Sequence, residues 1–182
     1  MATHDVKLGL GYATGMFYHA TAGTALPSYP GASLTGWTKI GDITADGITL
    51  ALDKTSENLK NWANVVKRVI MTDHTETIQA PIMDTTEESL KTVVGSKNVT
   101  KANGVINVNL SDTDLPAEEA FLWLMKDGND LMGIGCSYGQ VTAVDNVSFA
   151  PNNAINWTPT ITAMRGGFKF LSGPVGATGS TS

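Results

Sequence analysis

Gly36-Trp-Thr-Lys-Ile-Gly-Asp-Ile-Thr-Ala-Asp-Gly-Ile-Thr-Leu50 reads as a strand, a tight turn at Asp46-Gly47, and a second strand. The apolar residues of the second strand alternate as Ile48, Leu50 and Leu52, the spacing of a half-buried strand. Downstream, Thr85-Thr-Glu-Glu-Ser-Leu-Lys-Thr-Val-Val-Gly95 reads as a single short helix over about 86–94. Thr85 is positioned to cap it, with Glu88 completing a capping box. Leu90, Val93 and Val94 form an apolar stripe, Glu87 and Lys91 pair on the wet side, and Gly95 supplies a left-handed stop. A helix this short does not persist alone, so its stripe must dock on a sheet.

The rest of the chain reads as strands. Two are expected at about 65–72 and 75–83, joined through Thr72-Asp-His-Thr75, with Ile78, Ala80 and Ile82 alternating in the second. Ile106, Val108 and Leu110 alternate against Asn107 and Asn109. Residues Ala120–Met125 are apolar at both parities, so that strand is either buried on both faces or carries an oligomer contact on one. Asp127-Gly128 signals a hairpin into Leu131–Cys136. Further strands are expected at 139–149, 155–164 and Phe168–Leu171. Residues 1–35 hold few periodic apolar positions. They read as an early strand near Val6–Gly11 or Gly15–Ala20, then an extended arm through Leu26-Pro-Ser-Tyr-Pro30. Residues 172–182 read as a flexible polar tail. The expected fold is mainly β: two packed antiparallel sheets, a β-sandwich or flattened barrel, with one short flanking α-helix at about 86–94. An extended N-terminal arm and a flexible C-terminal tail complete it. The domain is expected to span 1–171 as one unit.

Residues 53–64 are polar, with Leu59 and Trp62 embedded, and the sequence leaves a long hairpin loop and a short helix both open. Too polar for a core, the segment carries Lys54, Glu57 and Lys60 around an apolar anchor, the make-up of an interface with its rim. Tyr29 in the arm, with Lys54, Glu57, Leu59, Lys60 and Trp62, are the candidate inter-subunit contact residues.

Charged residues make up 16% of the 182 residues, below the usual ~25%. Thr, Asn and Ser fill the difference, as suits β structure and subunit interfaces. Net charge is −5 and no basic cluster exceeds Lys67-Arg68, which argues against direct binding of nucleic-acid phosphates. Cys136 is the lone cysteine, so no internal disulfide or Cys-based metal site can form. No signal peptide is evident, and the longest strong apolar run, Ala120–Met125, is too short to span a bilayer. The sequons at Asn98, Asn109, Asn146 and Asn156 reflect high Asn and Thr content.

Catalytic constellations do not emerge. His4, His19 and His74 have no partner at metal-ligand spacing. The Gly9–Gly15 and Gly133–Gly139 G-x-G-x-x-x-G stretches are not the dinucleotide fingerprint and open no helix. Glu87-Glu88 sits in a helix first turn, and Glu118-Glu119 precedes a strand, where neighbours point to opposite faces. Of the four tryptophans, Trp123 and Trp157 fall at core positions, while Trp62 is the interface anchor. No catalytic residue, cofactor or metal is expected.

Read in order, these features resemble the major tail tube protein of long-tailed phages. The resemblance covers about residues 5–171. It rests on Gly23-Thr-Ala-Leu-Pro27, Gly36-Trp37, Gly41-Asp-Ile-Thr-Ala-Asp-Gly47, the 85–95 helix, Phe121-Leu-Trp, Asp127-Gly128 and Trp157-Thr-Pro-Thr-Ile-Thr-Ala163. It implies a structural virion protein, not an enzyme, that self-assembles in the host cytoplasm into hexameric rings stacked as the tail tube. DNA would pass through the lumen without specific binding. The implied partners are further copies and other tail proteins such as the tape measure and tail terminator, with no membrane. A long hairpin loop and the terminal arms would bridge rings, and one sheet would line an acidic lumen. No immunoglobulin-like C-terminal domain is expected. The competing reading is a carbohydrate- or receptor-binding β-sandwich, which an exposed aromatic row would favour. A small hydrolase is a third reading without a nucleophile–base pair to support it.

Overall fold

The helix is the element that local sequence specifies most fully. In the computed structural model, which describes residues 7–11, 16–111, 113–152 and 154–175, it runs Glu87–Val94 (α1). Thr86, not Thr85, is its cap. Thr86 Oγ1 accepts from the Ser89 amide at 3.2 Å, and Ser89 Oγ accepts from the Thr86 amide at 2.8 Å. Ser89 therefore closes the capping box in place of Glu88. Thr85 is diverted: its Oγ1 accepts the Trp157 indole N–H at 3.2 Å. Leu90 and Val93 are buried, and Lys91 pairs with Glu87 at 2.7 Å. That pairing holds the Glu87 carboxyl below its ordinary value. Gly95 ends the helix with φ 89° and ψ 140°, a positive φ with extended ψ rather than the left-handed helical stop.

The strands are β1 (Leu10–Gly11), β2 (Phe17–Thr21), β3 (Thr38–Gly41), β4 (Thr49–Lys60), β5 (Val66–Gln79), β6 (Val99–Ala102), β7 (Val105–Val108), β8 (Glu119–Asp127), β9 (Asp130–Val144), β10 (Pro159–Ala163) and β11 (Lys169–Pro174). Nine form one large antiparallel sheet with the path β3-β2-β8-β9-β10-β5-β4; β1 pairs with β8, and β11 with β9. The pair β6–β7 forms a small second sheet beside the helix. The fold is mainly β, antiparallel and sandwich-like, with one flanking helix and no closed barrel.

The opening stretch turns where the sequence says, but the strands on either side do not pair. Gly47 has φ 73° and donates to Thr44 O at 3.0 Å, closing the turn. Yet β3 pairs with β2 while β4 pairs with β5, at opposite ends of the sheet path. Only seven residues join them, so the sheet must curl until its two ends meet. Isolated bridges from Ile43 to Ile82 and from Ile82 to Trp157 stitch that junction. The curl brings inward side chains of most strands into one core: Phe17, Ile40, Ile78, Phe121, Trp123 and Ile161, joined by Leu90 and Val93 of the helix. Phe17 stacks on Trp123 with ring centroids 4.7 Å apart.

The Ala120–Met125 strand is buried on both faces within this chain. Phe121 and Trp123 face the main core. Leu122 and Leu124 join Tyr18 in a second cluster, covered by Leu26, Leu34 and Trp37. The extended arm thus packs on its own domain and accounts for the second apolar face without an oligomer contact.

Other boundaries move. The two strands expected at 65–72 and 75–83 are one continuous strand, β5. Residues 139–144 continue β9 rather than starting a new strand. Leu110 is exposed, beyond the end of β7. The expected tail begins within β11: Ser172, Gly173 and Pro174 pair with Met132, Leu131 and Asp130. The domain boundary drawn at Leu171 therefore falls inside a strand. His4 and residues 176–182 lie outside the described residues.

Candidate assembly surface

Residues 53–64 are neither an irregular loop nor a helix. They are the outer half of β4 and a turn, and with β5 they make a long two-stranded ribbon. β10 pairs with β5 only at Thr77, Ile78 and Gln79. Beyond Leu52 and Glu76, the ribbon has no neighbouring strand among the described residues. This is why the Ile48-Leu50-Leu52 alternation leads out of the core: Ile48 packs against it, but Leu50 and Leu52 are exposed. Every residue from Leu52 to His74 is exposed.

Apolar side chains nevertheless populate the ribbon. Paired residues share a face, and neighbours along a strand alternate. Met71 pairs with Ser56, and Val69 with Asn58, on one face. Ile70 pairs with Glu57, and Arg68 with Leu59, on the other. Leu59, Val65, Val66, Val69, Ile70 and Met71 are all exposed, so both faces carry apolar surface with nothing over it. A lone hairpin is marginal in water, and an exposed apolar ribbon invites association. The β5 residues escape the candidate set because 65–72 reads only as a strand, with no interface role assigned to it. The available signal was the absence of alternation, with Lys67-Arg68 in the middle of the run.

The tip is built to hold its shape. Asn61 Oδ1 accepts from the Ala63 amide at 3.1 Å and the Val65 amide at 2.9 Å. Asn64 adopts φ 62°, which asparagine tolerates. Trp62 sits on this turn with a relative exposure of 105%. Two bulges, where Thr72 and Lys67 are the extra residues, add twist along the ribbon. At the base, Glu76 accepts from the Phe168 amide and lies 2.8 Å from His74 Nε2. Those contacts hold its carboxyl below the ordinary value, the Phe168 amide first among them.

The candidate contact residues therefore divide. Lys54, Glu57, Leu59, Lys60 and Trp62 share the ribbon and its tip. Tyr29 lies apart on the arm, half-buried beside Gly31.

Side chains that could carry chemistry are engaged structurally. Cys136 is buried, and desolvation pushes its thiol up to about 12. No group of three or more metal-type side chains occurs among the described residues. His19 Nδ1 lies 2.9 Å from Glu119, and Glu118 pairs with Arg165. Trp123 and Trp157 are core residues and Trp37 is half-buried, so Trp62 alone of the four is fully exposed. One indole is not the aromatic row that a sugar platform needs. No helix among the described residues is long and apolar enough to cross a membrane.

No curated protein matches the sequence. Among solved structures, the anti-feeding prophage cap (a tube-terminating cap) is similar over 95% of this chain and 100% of that one, at 10% identity and a TM-score of 0.48. Residues 9–169 match the model of a family described as phage tail tube protein, a span that holds the sheet, the helix and the exposed ribbon. With that match over most of its length, the chain belongs to the phage tail tube protein family.

Proposed function

We propose that copies of this structural tail protein form rings of six that stack into the tail tube, the conduit for DNA ejection. One observation carries the reading: a ribbon of two long strands with apolar side chains on both faces and no core of its own. Such a ribbon gains by docking on another copy, where each buried apolar Å² contributes about 25 cal/mol. Trp62 is the natural anchor, since its rigid turn lowers the ordering cost of binding. Leu59 adds apolar surface near the tip, and Lys54, Glu57 and Lys60 form the polar rim. Tyr29 is assigned a separate contact from the arm. The single β domain is the repeating unit, and the tape measure and tail terminator are its further partners. Assembly takes place in the host cytoplasm, and the finished protein resides in the virion.

Concentrated protein is expected to show rings or tubes by electron microscopy. Trp62 should pass from water into an interface as they form, shifting tryptophan emission to the blue. Protein that stays monomeric across a wide concentration range, with unshifted emission, would defeat the reading.

The lumen should repel DNA. A wall that passes DNA cannot hold it, and −5 per subunit favours repulsion at short range. No binding of assembled protein to duplex DNA is expected at physiological salt. Retention of duplex on the tubes in a pelleting assay would contradict an acidic or neutral lumen.

A further inference from the structure

The ribbon needs a receptor, and an apolar groove of the domain has the chemistry for one. It encloses about 310 Å³ between β1, the end of β8 and the Ile43–Ile48 turn. Leu10, Met16, Ile43, Ile48, Trp123 and Met125 form its walls. We propose that this groove receives Trp62 from the ribbon tip of a second copy, an inference that rests on the docking reading above.

Three observations converge. The first is chemical. Two thioethers, Met16 and Met125, flank the groove, and the soft, adaptable methionine side chain packs well against an aromatic ring. A glycine makes room for one of them: a Cβ on Gly11 would fall 2.2 Å from Met16 Sδ. A groove of this size suits one large aromatic side chain, the kind that dominates interface energies.

The second is charge. Between Glu57 and Arg68, the ribbon end carries Lys60, Lys67 and Arg68 against Glu57 alone, a balance of +2. The whole chain is −5, so everything else carries −7. A basic tip on an otherwise acidic subunit is drawn to another copy. Asp46 stands exposed at the groove, between the lining residues Ala45 and Gly47, with no ion-pair partner among the described residues.

The third is reach. Ile48 lines the groove and directly precedes β4, so the groove lies at the base of the ribbon whose tip holds Trp62. From Ile48 to Asn61 the chain runs 13 residues, about 40 Å at roughly 3.3 Å per residue. A hairpin paired along its length cannot fold back on its own base, so the tip enters a different copy. Tip-to-base contact is heterologous, so it can pass from copy to copy.

The test uses the full chain. Ala63→Cys places a thiol beside Trp62, and Ala45→Cys places one at the groove rim. Cys136 stays inert, buried in the core. Mixing the two variants under mild oxidation should give a covalent dimer that neither gives alone. Leu10→Arg adds bulk and like charge at a residue 57% exposed. It should raise the concentration needed for assembly at least tenfold with an unchanged melting temperature. If it lowered the melting temperature too, the crosslink would decide. Absence of the mixed dimer, with Trp62→Ala still blocking assembly, overturns the groove while leaving ribbon docking intact. Normal assembly by Trp62→Ala overturns ribbon docking itself, and the groove with it.

Discussion

Removing the ribbon from Asp53 through Thr75 should leave a folded monomer that cannot assemble. Leu52 and Glu76 are direct partners, so a two-residue Asn-Gly turn can close the shortened hairpin. Residues 53–74 are exposed and Thr75 is half-buried, so no core side chain is lost. Shortening the connection also lowers the entropic cost of closing it. Replacing residues 53–64 alone would be a poorer test: it would strip β5 of its partner from Val66 to Thr75 and leave an unpaired apolar strand. Circular dichroism and a melting curve report the fold, and electron microscopy reports assembly. Tubes of normal length would refute the docking role. An unfolded product would place the ribbon in the folding unit.

Leu90→Asp should unfold the domain or abolish soluble expression. Leu90 is 4% exposed and packs in the main core with Val93. Deleting a buried leucine side chain costs about 2–5 kcal/mol, and burying a carboxylate without a partner costs several more. Against a total stability of about 5–15 kcal/mol, that sum is decisive. Leu90→Met, close in volume, should cost less than about 1.5 kcal/mol and serves as the control. A wild-type melting temperature for the aspartate variant would show that the helix does not dock.

Residues that act on their immediate neighbours were legible in the chain. The helix came through because caps, charge pairs and a 3.6-residue stripe all lie within eleven residues. Which threonine caps it did not, since Thr85 and Thr86 are equivalent in sequence. The choice falls to Trp157, 72 positions away, whose indole occupies Thr85. The Asp127-Gly128 hairpin was legible for the same reason as the helix: Gly128 has φ 55°, and Asp127 pairs with Asp130 across a two-residue turn. The Asp46-Gly47 turn was equally readable, but turn chemistry encodes a reversal and not a partner.

The assembly surface was half legible. Trp62 stood out because a large aromatic in a polar run has no core to join. The ribbon around it was hidden, since neither face is covered within the chain and no period of two is imposed on its residues. The groove was hidden for a different reason: its walls come from residues 10, 16, 43–48 and 123–125, which only the curled sheet brings together. By itself, the sequence determined the β class, the docked helix, the core tryptophans and the exposed anchor, because each follows from patterns over a few residues. The tertiary structure alone decided strand partners, the cover on the second face of β8 and the groove at the ribbon's base. Those depend on side chains distant in sequence competing for the same buried surface.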